Sequence, residues 1–169
     1  MAARTPREAL EDLVSPLRDV VTCISSVGLR TTGIHPDHAP HTIDFLGRDV
    51  VRLERNGGRL PIFFLLSQGY TLDREANGLW SARTTRWVYQ VKNAERRELF
   101  AYHWHPIGRS HVTTPHLHIS GRTEPSELAQ AHYPTGPVTL ADVVRLLIAD
   151  FQVRPRRTDW QRILDRAGG

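Results

Sequence analysis

Four of the nine histidines in this 169-residue chain form two His-x-His pairs, His103-Trp104-His105 and His116-Leu117-His118, with ten residues between them. In an extended strand, residues two apart point to the same face, so each pair presents both imidazoles together. A connection of that length suits a hairpin loop, and two adjacent antiparallel strands would gather the four rings on one sheet face, with His111 on the loop above. Neutral imidazoles so placed are ligands for a divalent metal such as zinc, at about 2.0–2.1 Å. The same rings without a metal can give and take protons, because an imidazole titrates at about pH 6.5. With Arg109 or Arg122 binding phosphate charge on a substrate, such an acid–base pair is what metal-independent RNA cleavage requires. A third reading is structural, with imidazoles hydrogen-bonded within a half-exposed sheet. The residues alone leave the three readings open.

The other candidate groups are sparser. No carboxylate ligand or general base is obvious; the nearest acids are Glu95, Glu98, Glu124 and Glu127. His35, His38 and His41 fall in a proline-rich stretch and read as a polar surface loop, and His132 beside Tyr133-Pro134 reads as a turn residue. Cys23 is the single cysteine. It cannot form an internal disulfide or a cysteine-rich zinc site, so a metal must use histidine or carboxylate, and a reducing interior is the expected setting.

Periodicity predicts the elements that must carry these groups. Leu10, Leu13, Val14, Leu17, Val20, Val21 and Ile24 recur at helical spacing and predict a helical segment over 6–26, interrupted or kinked at Pro16. The stretch from Gly28 to Gly47, with Pro36 and Pro40, reads as an irregular connection. From Asp49 the pattern changes to short β-branched and aromatic runs at 49–55, 60–66, 78–83, 86–92, 98–105 and 115–120. Asn56-Gly57-Gly58 and Asn93-Ala94-Glu95 supply the reversals. Leu140, Val143, Val144, Leu147, Ile148 and Phe151 then form an apolar stripe behind the capping-box pair Thr139 and Asp142. Thr158 and Gln161 repeat that spacing before a short helix carrying Trp160, Ile163 and Leu164.

The expected fold is α+β, a single domain over 1–169. An antiparallel meander of about five or six strands spans 49–120, and the N-terminal helix and C-terminal helices over 139–166 cover one face. Composition agrees with a globular chain: 40% hydrophobic and 24% charged residues, with 12 Gly and 11 Pro, fit neither a collagen-like nor a disordered chain. Basic residues outnumber acidic ones by 22 to 18, so nucleic acid would be bound only through a local patch. Arginine dominates that basic set, with Lys92 the one lysine, a choice suited to planar contacts with carboxylate or phosphate. No apolar run reaches the roughly 18 residues of a membrane span, and the first residues lack the apolar core of a signal peptide. A cytoplasmic protein with no membrane contact is expected.

Known short motifs fit in part. Pro115-His116-Leu117-His118-Ile119-Ser120 is close to the histidine-triad nucleotide hydrolases, but Ser120 stands at the third histidine and a glycine-rich nucleotide loop is missing. His103-Trp104-His105-Pro106 lacks the following Ser-x-x-Asp of metal-dependent deubiquitinating-type proteases. His118-Ile119-Ser120 matches one His-x-Ser element of two-histidine phosphoesterases without its second copy. No P-loop or dinucleotide fingerprint is present.

In its order of motifs the chain resembles the TumE-type toxins of bacterial toxin–antitoxin pairs. Trp87-Val88-Tyr89-Gln90, Leu99-Phe100-Ala101-Tyr102, Pro115-His116-Leu117-His118 and Thr139-Leu140-Ala141-Asp142-Val143-Val144 carry the resemblance, which covers about half the chain. The chain departs from that family at Tyr102-His103-Trp104-His105, where a Tyr-Asp-Asn turn is usual. The resemblance implies a bacterial cytoplasmic protein and an antitoxin partner with a helix-turn-helix; RNA, as substrate or ligand, is suggested by arginine-rich segments instead. Arg96-Arg97 and Arg154-Pro155-Arg156-Arg157 would then contact phosphates. A different class, a non-enzymatic interaction module, would use Trp80, Trp87 and Trp104 as a partner surface.

Overall fold

The computed structural model describes residues 3–35, 40–107, 112–120 and 133–168. Helix α1 spans Pro6–Thr22. It starts where Thr5 and Glu8 form a reciprocal capping box and Pro6 occupies the first turn, where its missing N–H costs nothing. Pro16 lies inside this one helix, which buries Ala9, Leu10, Val14, Val20 and Val21. Eight strands follow: β1 Leu29–Thr31, β2 His41–Phe45, β3 Val51–Leu53, β4 Ile62–Arg74, β5 Trp80–Lys92, β6 Glu98–Trp104, β7 His116–Ile119 and β8 Tyr133–Pro134. Helices α2, Leu140–Ala149, and α3, Trp160–Ala167, complete the order.

The strands form one antiparallel sheet in the order β1-β2-β4-β5-β6-β7-β8, and β3 pairs with the first half of β4. The long β4 and β5 make the spine. Alternation along them is strict where it matters: Phe64, Leu66, Gln68, Tyr70 and Leu72 of β4 are buried, as are Trp87, Tyr89 and Val91 of β5. These side chains meet Val14, Val20, Leu140, Val144, Leu147 and Leu164 from the three helices in one core. Each such aliphatic or aromatic side chain contributes about 1.5–3 kcal/mol by leaving water. The helices therefore cover one face of the sheet, and the alternate residues of β4–β7 point to the other. No helix among the described residues is long and apolar enough to cross a membrane.

This is the expected α+β architecture, with more strands than the pattern predicts. The 28–47 stretch is not irregular: it holds β1 and β2, whose ladder pairs Leu29 with Phe45 and Thr31 with Ile43. The two runs expected at 78–83 and 86–92 are one strand, β5, with a bulge where Gly69 pairs Arg86 but Tyr70 pairs Thr84. Thr85 is the extra residue, which breaks the period-two pattern in sequence without breaking the ladder. The turn at Asn56-Gly57-Gly58 is present, with both glycines at positive φ, 67° and 68°. The α1 helix stops at Thr22 rather than residue 26. At α2 the Thr139–Asp142 capping box forms as predicted, whereas α3 is capped at Asp159 with no side-chain bond, so Thr158 is not its cap.

Candidate metal centre

The β6–β7 hairpin decides which histidines meet. Its register sets His103 opposite His116 and Ala101 opposite His118. His103, His116 and His118 therefore share one side of the ladder, while Phe100, Tyr102 and Leu117 alternate toward the helices. One ligand nitrogen from each of these three imidazoles lies within 4.8 Å of the other two. Ring centroids are 4.8 Å apart for His103 and His118, 5.0 Å for His116 and His118, and 5.8 Å for His103 and His116. His105 follows the end of β6. The stagger of the hairpin leaves His105 two residues beyond the facing pair in one direction and His118 two residues beyond it in the other. His105 is thus 5.3 Å from His116 and 6.1 Å from His103, beside the trio and outside it.

The protonation pattern suits ligation. His116 is fully buried, and its Nδ1–H donates to the backbone carbonyl of Thr114 at 2.8 Å. A carbonyl can only accept, so Nδ1 carries a proton and Nε2 is the nitrogen left for ligation, the arrangement that a backbone acceptor imposes on metal-binding histidines. His103 Nε2 is buried with no hydrogen-bond partner among the described residues. An orphaned polar atom of this kind costs about 1–3 kcal/mol, a penalty that coordination to a cation removes. Burial first, then the charges of His118 and His116, push the His103 pKa down to about 4. The ring is held in the neutral form that ligates.

The donors are the right type and nearly the right distance. Two nitrogens on a tetrahedral ion at 2.0–2.1 Å lie about 3.3 Å apart, so the widest pair must close by about 1.5 Å. Rotations about χ1 and χ2 of the imidazoles cover closures of that size. Three protein ligands leave one position open, the arrangement of catalytic rather than structural zinc.

Beside the trio is a carboxylate that spacing alone did not single out as a partner. Glu98 begins β6 and accepts from Ser120 Oγ and from Gln90 Nε2, and its charge acts on His103 against the effect of burial. Sequence reasoning named Glu98 among the nearest acids; its signal was proximity in the β6–β7 hairpin, which only the register resolves. Glu95 instead pairs with Arg97 at the exposed turn. The 35–41 histidines are not a polar surface loop throughout: His41 opens β2, is buried, stacks near Tyr70 and contacts the His35 carbonyl at 2.9 Å. Arg109, Arg122, His38, His111, His132, Glu124 and Glu127 lie outside the described residues. Trp87 is buried against Tyr89, and Trp80 and Trp104 pack against the core, so these rings are largely structural. Cys23 is buried, and burial raises its thiol pKa, which makes it a poor nucleophile or ligand. No protein-family model matches the chain, and neither a curated protein nor a solved structure does.

Proposed function

We propose that this chain binds one divalent metal ion, zinc, through His103, His116 and His118, with the fourth coordination position left for water or an oxygen ligand. The observation that carries the reading is the convergence of three imidazole nitrogens within 4.8 Å on the sheet face away from the helices. When bound to three neutral imidazoles, zinc brings a water molecule to a pKa of about 7 and polarises a bound oxygen. The chain's own residues supply the rest. The Thr114 carbonyl orients His116, and the ring of His105, centred 5.3 Å from that of His116, would be the group that moves a proton beside the site.

Metal-free acid–base chemistry is the weaker use of the same rings. It needs a proton donor as well as an acceptor, and His103, held neutral, can be only the acceptor. An RNA-directed toxin with a helix-turn-helix antitoxin is supported by the resemblance of short motifs alone, and a hydrolytic metal centre is compatible with it. Elemental analysis of untagged protein tests the reading. One zinc per chain is expected after incubation and desalting, and it is lost in His118→Ala with the circular dichroism spectrum unchanged. Metal-free wild-type protein after the same treatment overturns it.

A further inference from the structure

The face of the sheet opposite the histidines holds a cavity of about 330 Å³, at the small end of ligand-pocket sizes. It opens between α1 and the start of α2, under Leu17 and Leu140, and its walls are Trp87 and Trp104. Gln68, Thr84 and Tyr89 also line it. Trp87 and Tyr89 are stacked at 5.1 Å with planes 9° apart, and Trp104 leans toward Trp87 at 6.5 Å. The cleft is therefore aromatic on its sheet side and aliphatic on its helix side, where Leu17, Val20, Val138 and Leu140 face the rings.

A glutamine among these rings needs a reason. Gln68 is only 4% exposed and sits in the middle of β4, where its neighbours on the same face are Leu66 and Tyr70. Its amide donates to Thr84 Oγ1 at 2.8 Å and accepts from Tyr89 O–H at 3.3 Å. Those are its two side-chain bonds among the described residues. A primary amide offers two donors and two lone pairs, so one N–H and one lone pair of Gln68 are uncommitted. A buried amide with half its capacity unused carries a desolvation cost that a ligand with a matching edge repays.

We infer that this cleft binds a planar nitrogen heterocycle of the nucleobase class, with the ring against Trp104 and an adjacent amino donor and ring-nitrogen acceptor on the free edge of Gln68. A glutamine amide pairs with such an edge by two parallel hydrogen bonds, and indole faces favour flat π systems over aliphatic groups of equal area. A phenyl or alkyl ligand would fill the volume yet leave Gln68 unsatisfied. The cleft is independent of the metal: it lies on the other side of the sheet and uses none of the histidines.

The probe is 9-methyladenine, with 6-dimethylamino-9-methylpurine as the control that keeps the ring but loses the amino donor. Binding is read by ¹⁵N–¹H spectra of the full chain, in the Trp104 indole and Gln68 side-chain amide signals. The expected result is saturable shifts of both signals with 9-methyladenine, and affinity about ten- to a hundredfold weaker for the control. Gln68→Met, which keeps the volume without the amide, should bind the two purines alike. Should that variant not fold, Trp104→Ala at the rim should weaken both purines about equally. Absence of shifts with 9-methyladenine, shifts confined to other residues, or equal affinity of wild type for the two purines overturns the inference.

Discussion

Zinc should raise the melting temperature of the metal-free chain, and the increment should vanish in His118→Ala. His118 is the informative position because it is half-buried, whereas His116 is fully buried and anchored to Thr114. Removing His118 from the metal-free protein therefore costs on the order of 1 kcal/mol, while removing His116 disturbs the fold as well as the site. Drawing the nitrogens in from 4.8 Å moves at least one ring off its resting rotamer, at about 0.5–1.5 kcal/mol, so affinity is up to about tenfold below that of a preformed three-histidine site. At a free zinc concentration of 100 times the dissociation constant, linkage still supplies about 2.7 kcal/mol. For a chain of this length that is roughly 5–11 °C in melting temperature. Two remaining imidazoles hold the ion far more weakly, so at the same zinc concentration the variant should shift by less than about 2 °C. The assay is differential scanning fluorimetry of untagged protein in chelator and in buffered zinc, with wild type and variant side by side. Equal zinc shifts in the two proteins, or none in a folded wild type, refute the three-imidazole site.

Three further outcomes follow from the same structure. In chelator, stability should fall as pH drops from about 6.5 toward about 4 and then level off, because the unfolded chain protonates His103 in that window while the folded chain does not; urea midpoints across the range check it, and His103→Gln should flatten the curve. Leu147→Ala, which empties a fully buried position in α2, should cost about 2–5 kcal/mol by urea denaturation without changing metal content. Thr139→Ala should cost about 1 kcal/mol, since the hydroxyl accepts from Asp142 N at 3.1 Å and nothing else replaces it at that cap.

What could be read from sequence divides by the range of the signal. Helices α1 and α2 are legible because each carries an apolar stripe, a local signal that α2 strengthens with the cap of Thr139 and Asp142. Strands β1 and β2 are not, because three and five residues flanked by Pro36 and Pro40 carry too little alternation, and what stabilises them is pairing with β4. The burial of His41 is invisible for the same reason. Only the tertiary fold sets its ring beside Tyr70, whose hydroxyl donates to the Gly33 carbonyl at 2.5 Å. The break in β5 at Thr85 misleads in the opposite direction, since a bulge disrupts the pattern while preserving the strand.

The histidines show where that boundary falls within a single site. Period-two spacing is local, so it correctly sets each His-x-His pair on one face. How the pairs meet depends on the register of the hairpin, which spacing does not specify. A register with His105 facing His116 would instead set His103 opposite His118, giving a compact four-imidazole cluster. The observed register is two residues different, facing His103 with His116, and yields three converging donors with His105 at the rim. On the proposed metal reading, that offset changes the chemistry. Four imidazoles close a coordination sphere, as structural sites do, whereas three with a neighbour leave room for a substrate and a group to move its proton.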